Sequence, residues 1–294
     1  MTRMHADEVS TDADLVRRLL AGQFPQWAEQ PIEPVPSFGT DNAMYRVGDD
    51  LVARLPRRTG TTGTLARERR WLPELAPLLP VAAPVPLAEG MPAEGYPFEW
   101  CVYPWLRGEE ATADRIVDAD RFADELAGLI ASLRRIDPSG GPEPGEDNFG
   151  RGEPLARRDA ATRVAIETLG AEAATAIWDA ALRTPPWQQP PVWIHGDLDA
   201  RNLLVEDGRL SGVIDWGCLG VGDPAYDVMA AWKVLPPSTH DRFRAALRVD
   251  EGTWIRARGL VVSQALIALA YYTMETNPVL VLEARRWLAA SLGE

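Results

Sequence analysis

"WIHGDLDARNLLV", residues 193–205, sets His195, Asp197, Asp199, Arg201 and Asn202 between two apolar runs, and "GVIDWG", residues 212–217, follows close behind. The apolar runs read as short strands near 191–195, 202–206 and 210–215, with Asp207-Gly208 turning the last two into a hairpin. The polar residues then sit on a loop at the end of one strand. The hairpin carries Asp215 back towards that loop, thirteen residues after Asn202. A simple polar turn between buried strands has no need of so many ionisable groups.

The spacing suits phosphoryl transfer. An acceptor hydroxyl needs a carboxylate to orient it and take its proton. Nucleotide phosphates need Mg²⁺, a hard cation that prefers oxygen ligands. A loop with Asp and Asn, followed by a hairpin that delivers a second Asp, supplies this set. Asp197 is read as the group that orients the hydroxyl, Asn202 and Asp215 as metal ligands, and His195 as a brace for the loop.

The rest of the composition limits the alternatives. The chain has 294 residues, 46% of them hydrophobic and 25% charged, enough for one large domain or two smaller ones. A net charge of −13 argues against a general nucleic-acid binder and permits a cationic small-molecule partner. No apolar run is long enough to span a membrane, and the acidic N-terminal segment is unlike a secretory signal, so the expected location is the cytoplasm. Cys101 and Cys218 lack both metal-site spacing and the number a disulfide framework needs. Lysine occurs once, at Lys233, so arginine supplies nearly all the positive charge.

Along the chain the pattern changes character. A helix is expected from Asp12 to Ala21, then strands near 32–37, 42–47 and 50–56, with a hairpin turn at Gly48-Asp49-Asp50. Thr64 to Leu79 reads as a helix that Pro73 and Pro77 limit or break. "YPFEWCVYPWL" reads as a strand ending at Pro104. Beyond it helices dominate, over 119–136 and near 154–182, 223–235, 239–248, 253–273 and 276–292. The pattern predicts an α+β chain, with a β-rich N-terminal lobe over 1–103, a mainly helical C-terminal lobe over 104–294, and a hinge about 102–108.

"HGDLDARNLLV…GVIDWGCLGVGDPAYDVM" resembles the aminoglycoside phosphotransferase family, small-molecule kinases with a two-lobed protein-kinase-like fold. "HGD…N" matches the family's catalytic loop, "IDW" stands where protein kinases have Asp-Phe-Gly, and "GDPAYD" matches a third family element. The resemblance covers about residues 25–292. It departs at Asp199, where the family often has His. That leaves Asp199 facing substrate, metal or solvent. Family analogy gives Asp227 a role in bracing the catalytic loop, and Asp223 is either a helix N-cap or a further support of the loop.

The resemblance also implies a nucleotide site. "SFGTDN" lies where a loop over the phosphates belongs and offers Ser37, Gly39, Thr40 and Asn42, although its single glycine is also compatible with a plain turn. On the third strand, where the family places a lysine, this chain has Arg54. Glu68 on the next helix is its expected partner, and Lys233 lies in the wrong lobe for the role. Backbone groups at Pro104 and Leu106 are expected to hold the base.

Acceptor candidates are Asp199, Trp232, Tyr271, Tyr272 and Glu275, with Trp254 and Trp287 nearby in the same lobe; each aromatic residue reads more readily as core packing than as a ligand contact. The implied activity transfers the γ-phosphoryl group of ATP or GTP, with two Mg²⁺ ions, to a hydroxyl of an aminoglycoside, macrolide or nucleoside antibiotic. The tryptophan-rich lobe leans towards the last two. A metabolic kinase of the same fold, acting on choline, homoserine or a sugar, and a catalytically silent pseudokinase remain as alternatives.

Overall fold

The computed structural model describes residues 8–36, 42–59 and 62–293. It divides into two compact units. The first comprises the described residues up to Pro77 together with Ala82–Arg107, and the second comprises Leu78–Val81 and Gly108 onwards.

In the first unit, helix α1 (Ala13–Gln23) starts at Asp12, whose side chain accepts a hydrogen bond from Leu15 N–H at 2.7 Å. Strands β1 (Ile32–Pro34), β2 (Asn42–Val47), β3 (Leu51–Pro56), β4 (Ala88–Gly90) and β5 (Trp100–Pro104) form an antiparallel sheet in the order β1-β2-β3-β5-β4. Alternation in β2 sends Ala43, Tyr45 and Val47 into the core that Leu15, Val16, Leu19 and Leu20 of α1 also fill. The opposite face packs Val52, Cys101 and Tyr103 with Leu65 of helix α2 (Thr62–Leu75). Arg54 pairs with Met44 on one side and Cys101 on the other, so it projects from this second face. Helix α2 ends two residues beyond Pro73, which therefore limits the helix without breaking it in its middle.

The second unit is mainly helical. Helix α3 (Ala119–Arg135) is capped by Asp118 and buries one apolar stripe. One helical segment was expected near 154–182. The chain instead forms α4 (Asp159–Leu169) and α5 (Ala173–Arg183), because Gly170 takes a left-handed conformation that ends the first. Strands β6 (Glu109–Glu110), β7 (Val192–Ile194), β8 (Leu203–Glu206), β9 (Arg209–Val213) and β10 (Gly220–Gly222) make two small sheets, β6-β8-β9 and β10-β7. The segment expected near 223–235 is two short helices, α6 (Ala225–Val228) and α7 (Ala230–Lys233). After α8 (His240–Ala246), the long helix α9 (Glu251–Tyr271) is buried on several faces, from Arg256 to Leu266, and α10 (Pro278–Leu292) packs against it. Among the described residues no helix is long and apolar enough to cross a membrane.

Candidate active site

Register brings the opening motif together. Strand β8 pairs with β9, Leu203 opposite Val213, and Ile214 N–H donates to Asn202 O at 2.9 Å. Asn202 and Asp215 therefore leave the same end of one hairpin, whose turn uses Asp207 and Gly208, both at positive φ. On the other side β7 pairs with β10, Ile194 opposite Gly220, which fixes where His195-Gly196-Asp197 departs. Gly196 has φ +82°, and a Cβ there would lie 2.6 Å from Cys218 O, so no side chain fits.

Buried acceptors hold the loop from beneath. Asp227 on α6 accepts from His195 N–H at 2.9 Å and Gly196 N–H at 2.8 Å. Burial pushes its carboxyl above the ordinary range, although the two N–H groups and Arg134 favour the charged form. The His195 ring lies 3.0 Å from Ile214 O through Nε2, and its Nδ1 accepts from Asp197 N–H at 3.3 Å. A neutral ring protonated on Nε2 satisfies both, which makes His195 a brace with no free nitrogen for chemistry. The ring also packs against Trp216, centroids 4.6 Å apart.

Asp197 is asymmetrically bound. Lys233 Nζ stands 3.1 Å from Oδ1, Gln264 Nε2 donates to the same oxygen at 3.4 Å, and Arg151 Nη2 lies 3.7 Å from it. Among the described residues no side chain or backbone group binds Oδ2. A quarter of the side chain remains exposed. Burial alone would raise its carboxyl, but Lys233, Arg151 and Arg201 outweigh it and hold Asp197 ionised, well below the usual carboxylate range. The group can accept a hydrogen bond from a hydroxyl at any ordinary pH.

Asn202 and Asp215 offer the oxygen donors that a hard divalent cation prefers. The Asn202 Nδ2 donates to Asp197 O at 2.9 Å, which turns the amide oxygen away from that contact. Asp215 has φ +58°, a left-handed conformation uncommon outside glycine, of the kind strained sites adopt. Among the described residues no cluster of three or more His, Cys, Asp or Glu side chains forms an all-protein cage. Mg²⁺ usually takes one or two protein oxygens and completes its shell with phosphates and water, and this pair matches that habit.

Asp199 is turned inward. It is 1% exposed and accepts from both the backbone N–H and Nη2 of Arg201, each at 2.9 Å. That leaves it no face for an acceptor, and its weak candidacy as a substrate contact is corrected on this ground. Asp223 accepts from Ala225 N–H and is gripped by Arg256 of α9, Nε to Oδ2 at 2.8 Å and Nη2 to Oδ1 at 3.2 Å. It ties the "GDPAYD" turn to the central helix.

In the first unit Arg54 Nη1 donates to Glu68 Oε1 at 2.7 Å, with side chains 8% and 2% exposed. Tyr103 Oη donates to the other Glu68 oxygen at 2.6 Å. With the Asn42 amide turned to suit its neighbours, its oxygen accepts from Arg54 Nε at 3.2 Å and Nη2 at 3.1 Å. The pair is buried rather than lying at the surface. Pro104 pairs with Leu51 at the end of β5, and Trp105 N–H donates to Asp50 O. The Leu106 N–H has no partner among the described residues. Ser37, Gly39 and Thr40 lie outside the described residues.

The acceptor candidates scatter. Trp232 is buried against Trp254, centroids 4.4 Å apart, and His240. Tyr271 and Glu275 are exposed near the end of α9, with Tyr272 stacked edge-on against Tyr271. None of these touches Asp197. Trp287 lies beneath Lys233, 4.6 Å from Nζ to the ring centre. Lys233, Gln264 and Arg151 were not among the sequence candidates. A lone lysine in an arginine-rich chain was the one available signal, and it marked only Lys233.

The profile of the phosphotransferase enzyme family matches residues 32–260. An aminoglycoside 3'-phosphotransferase of Escherichia coli is 36% identical over 72 residues, 24% of this chain and 27% of that protein, so the chain spans about a quarter of that relative's length. Among solved structures, the GDP and kanamycin complex of APH(2")-IIIa superposes with a TM-score of 0.73 at 21% identity, over 93% of this chain and 98% of that one. The apoenzyme of a macrolide 2'-phosphotransferase from Brachybacterium faecium gives 0.63 at 25% identity, over 95% and 97%.

Proposed function

The chain belongs to the phosphotransferase enzyme family, and from that premise we propose that it transfers the γ-phosphoryl group of ATP or GTP to a hydroxyl of a small molecule. The observation that carries the proposal is Asp197, with one oxygen contacted by three side chains and the other bound by none of the described residues. An acceptor hydroxyl donates to Oδ2. As its oxygen forms a bond to the γ-phosphorus, the bond from that phosphorus to the β–γ bridging oxygen breaks, the hydroxyl proton passes to Oδ2, and the nucleoside diphosphate leaves. Because Asp197 is held so strongly ionised, the proton moves late and the carboxylate acts chiefly by orienting the hydroxyl.

Asn202 and Asp215 would hold Mg²⁺ through oxygen. When bound, the ion neutralises charge on the phosphates. In the first unit Arg54, fixed by Glu68, binds phosphate, and the Leu106 N–H is available to a purine base. Intact Asp197, Asn202 and Asp215 favour turnover over a silent pseudokinase. Two buried, unpaired thiols fit a reducing cytoplasm.

The acceptor class we favour is an antibiotic, because the relatives and solved neighbours carry aminoglycoside and macrolide phosphotransferase names. The net charge of −13 attracts polycationic aminoglycosides. A panel of aminoglycosides, macrolides, nucleoside antibiotics, choline, homoserine and sugars, each with ATP and with GTP, tests this by mass spectrometry of the product. Gain of one phosphoryl group on an antibiotic supports the reading. Phosphorylation confined to the metabolites would replace it with the metabolic alternative.

A further inference from the structure

We propose that Lys233 is a positioning residue of the reaction: its ammonium, with Gln264, holds Oδ1 of Asp197 so that Oδ2 alone faces the acceptor hydroxyl. The inference rests on the reading of Asp197 as the acceptor's carboxylate. Burying an ammonium is costly unless it is closely paired. Lys233 is 1% exposed, its Nζ is 3.1 Å from Asp197 Oδ1, and its next carboxylate, Asp199, is 3.9 Å away. Asp199 is already engaged by Arg201 through two hydrogen bonds. The ammonium therefore serves Asp197 first.

Three elements converge on that one oxygen. Lys233 ends α7, Gln264 lies mid-way along α9, and Arg151 comes from the loop before α4. A carboxylate on a loop can rotate about its Cβ–Cγ bond and exchange its oxygens. Pinning Oδ1 removes that freedom, and catalytic geometry of this kind is sensitive to displacements of about 1 Å. The chemistry of the cation fits the task. This is the only lysine among thirty basic lysine and arginine residues. A compact ammonium fits over the Trp287 ring, 4.6 Å away, and still reaches a single oxygen, whereas a planar guanidinium would bridge both carboxylate oxygens and cover Oδ2.

The test compares Lys233→Met, Lys233→Arg, Lys233→Ala and Gln264→Leu with the unmodified chain, using an acceptor that the unmodified chain phosphorylates. Lys233→Met should lower kcat by about 100-fold while nucleotide Kd and acceptor KM stay near their original values. Lys233→Arg should fail to restore kcat, because its fork occupies Oδ2. Gln264→Leu, at a partly exposed position, should give a smaller loss in kcat with the same unchanged Kd. It provides the check should Lys233→Met not fold. Lys233→Ala should regain part of its kcat with added propylammonium, which refills the gap over Trp287. Normal kcat in Lys233→Met, or in Gln264→Leu where the lysine variant does not fold, would overturn the inference and leave the kinase reading standing. No turnover by the unmodified chain on any acceptor would overturn the kinase reading, and the inference with it.

Discussion

Replacing Arg54 by alanine separates two roles that one buried ion pair combines. Glu68 is 2% exposed at its side chain and would keep only the 2.6 Å hydrogen bond from Tyr103. An unpaired buried carboxylate of this kind costs about 3–5 kcal/mol. In a unit of this size that corresponds to a fall in Tm on the order of 10 °C. Removing both charges, Arg54→Met with Glu68→Leu, deletes the orphan. It leaves Tyr103 Oη without an acceptor, a smaller loss of about 1–3 kcal/mol. The double variant should therefore be more stable than Arg54→Ala, and it should still bind nucleotide poorly. Loss of a charge-assisted contact to phosphate, about 1.5–3 kcal/mol, weakens Kd by about 10- to 100-fold. Thermal melting gives the first quantity and nucleotide titration the second. A double variant that melts below the single one would refute the burial argument. One that binds nucleotide as tightly as the unmodified chain would show that Arg54 serves the fold alone.

Two further expectations follow from the second unit and the thiols. Asp215→Ala should abolish the extra melting stabilisation that Mg²⁺ adds to nucleotide, and an unchanged Mg²⁺ response would place the metal on other residues. Burial pushes both the Cys101 and Cys218 thiols up to about 12, so at pH 8 hardly any thiolate exists. Iodoacetamide should leave both unmodified in the native protein and label both in denaturant; rapid native labelling of either would contradict their burial.

The geometry of the opening motif was legible because it depends on local order: strand, loop, hairpin and Asp215 follow from apolar runs and one Asp-Gly turn. The α+β division was legible for the same reason, since its periods change near Pro104. What could not be read lay in contacts distant in sequence. Lys233 reaches Asp197 across 36 residues and Gln264 across 67, and no spacing rule links them. Asp199 looked available because it sits two residues from Asp197, yet Arg201 folds back over it. Gly170 ended a helix that periodicity alone would have continued, and strand β10, three residues with two glycines, exists only because β7 pairs with it. Trp232 and Trp254 read more readily as core than as acceptor wall, and the structure packs them against each other.

Single-turnover phosphoryl transfer by Asp197→Asn, at saturating nucleotide and acceptor, addresses the central claim most directly. Asparagine keeps the shape of the side chain and removes its charge; this lowers stability by leaving the buried Lys233 with Asp199, 3.9 Å away, while the nucleotide Kd should persist. The amide presents either an oxygen of little basicity or an N–H to the hydroxyl, so the rate should fall by about 100- to 10,000-fold. A rate near that of the unmodified chain would contradict the account, because the oxygen left unbound by Lys233, Gln264 and Arg151 would then have no part in the chemistry.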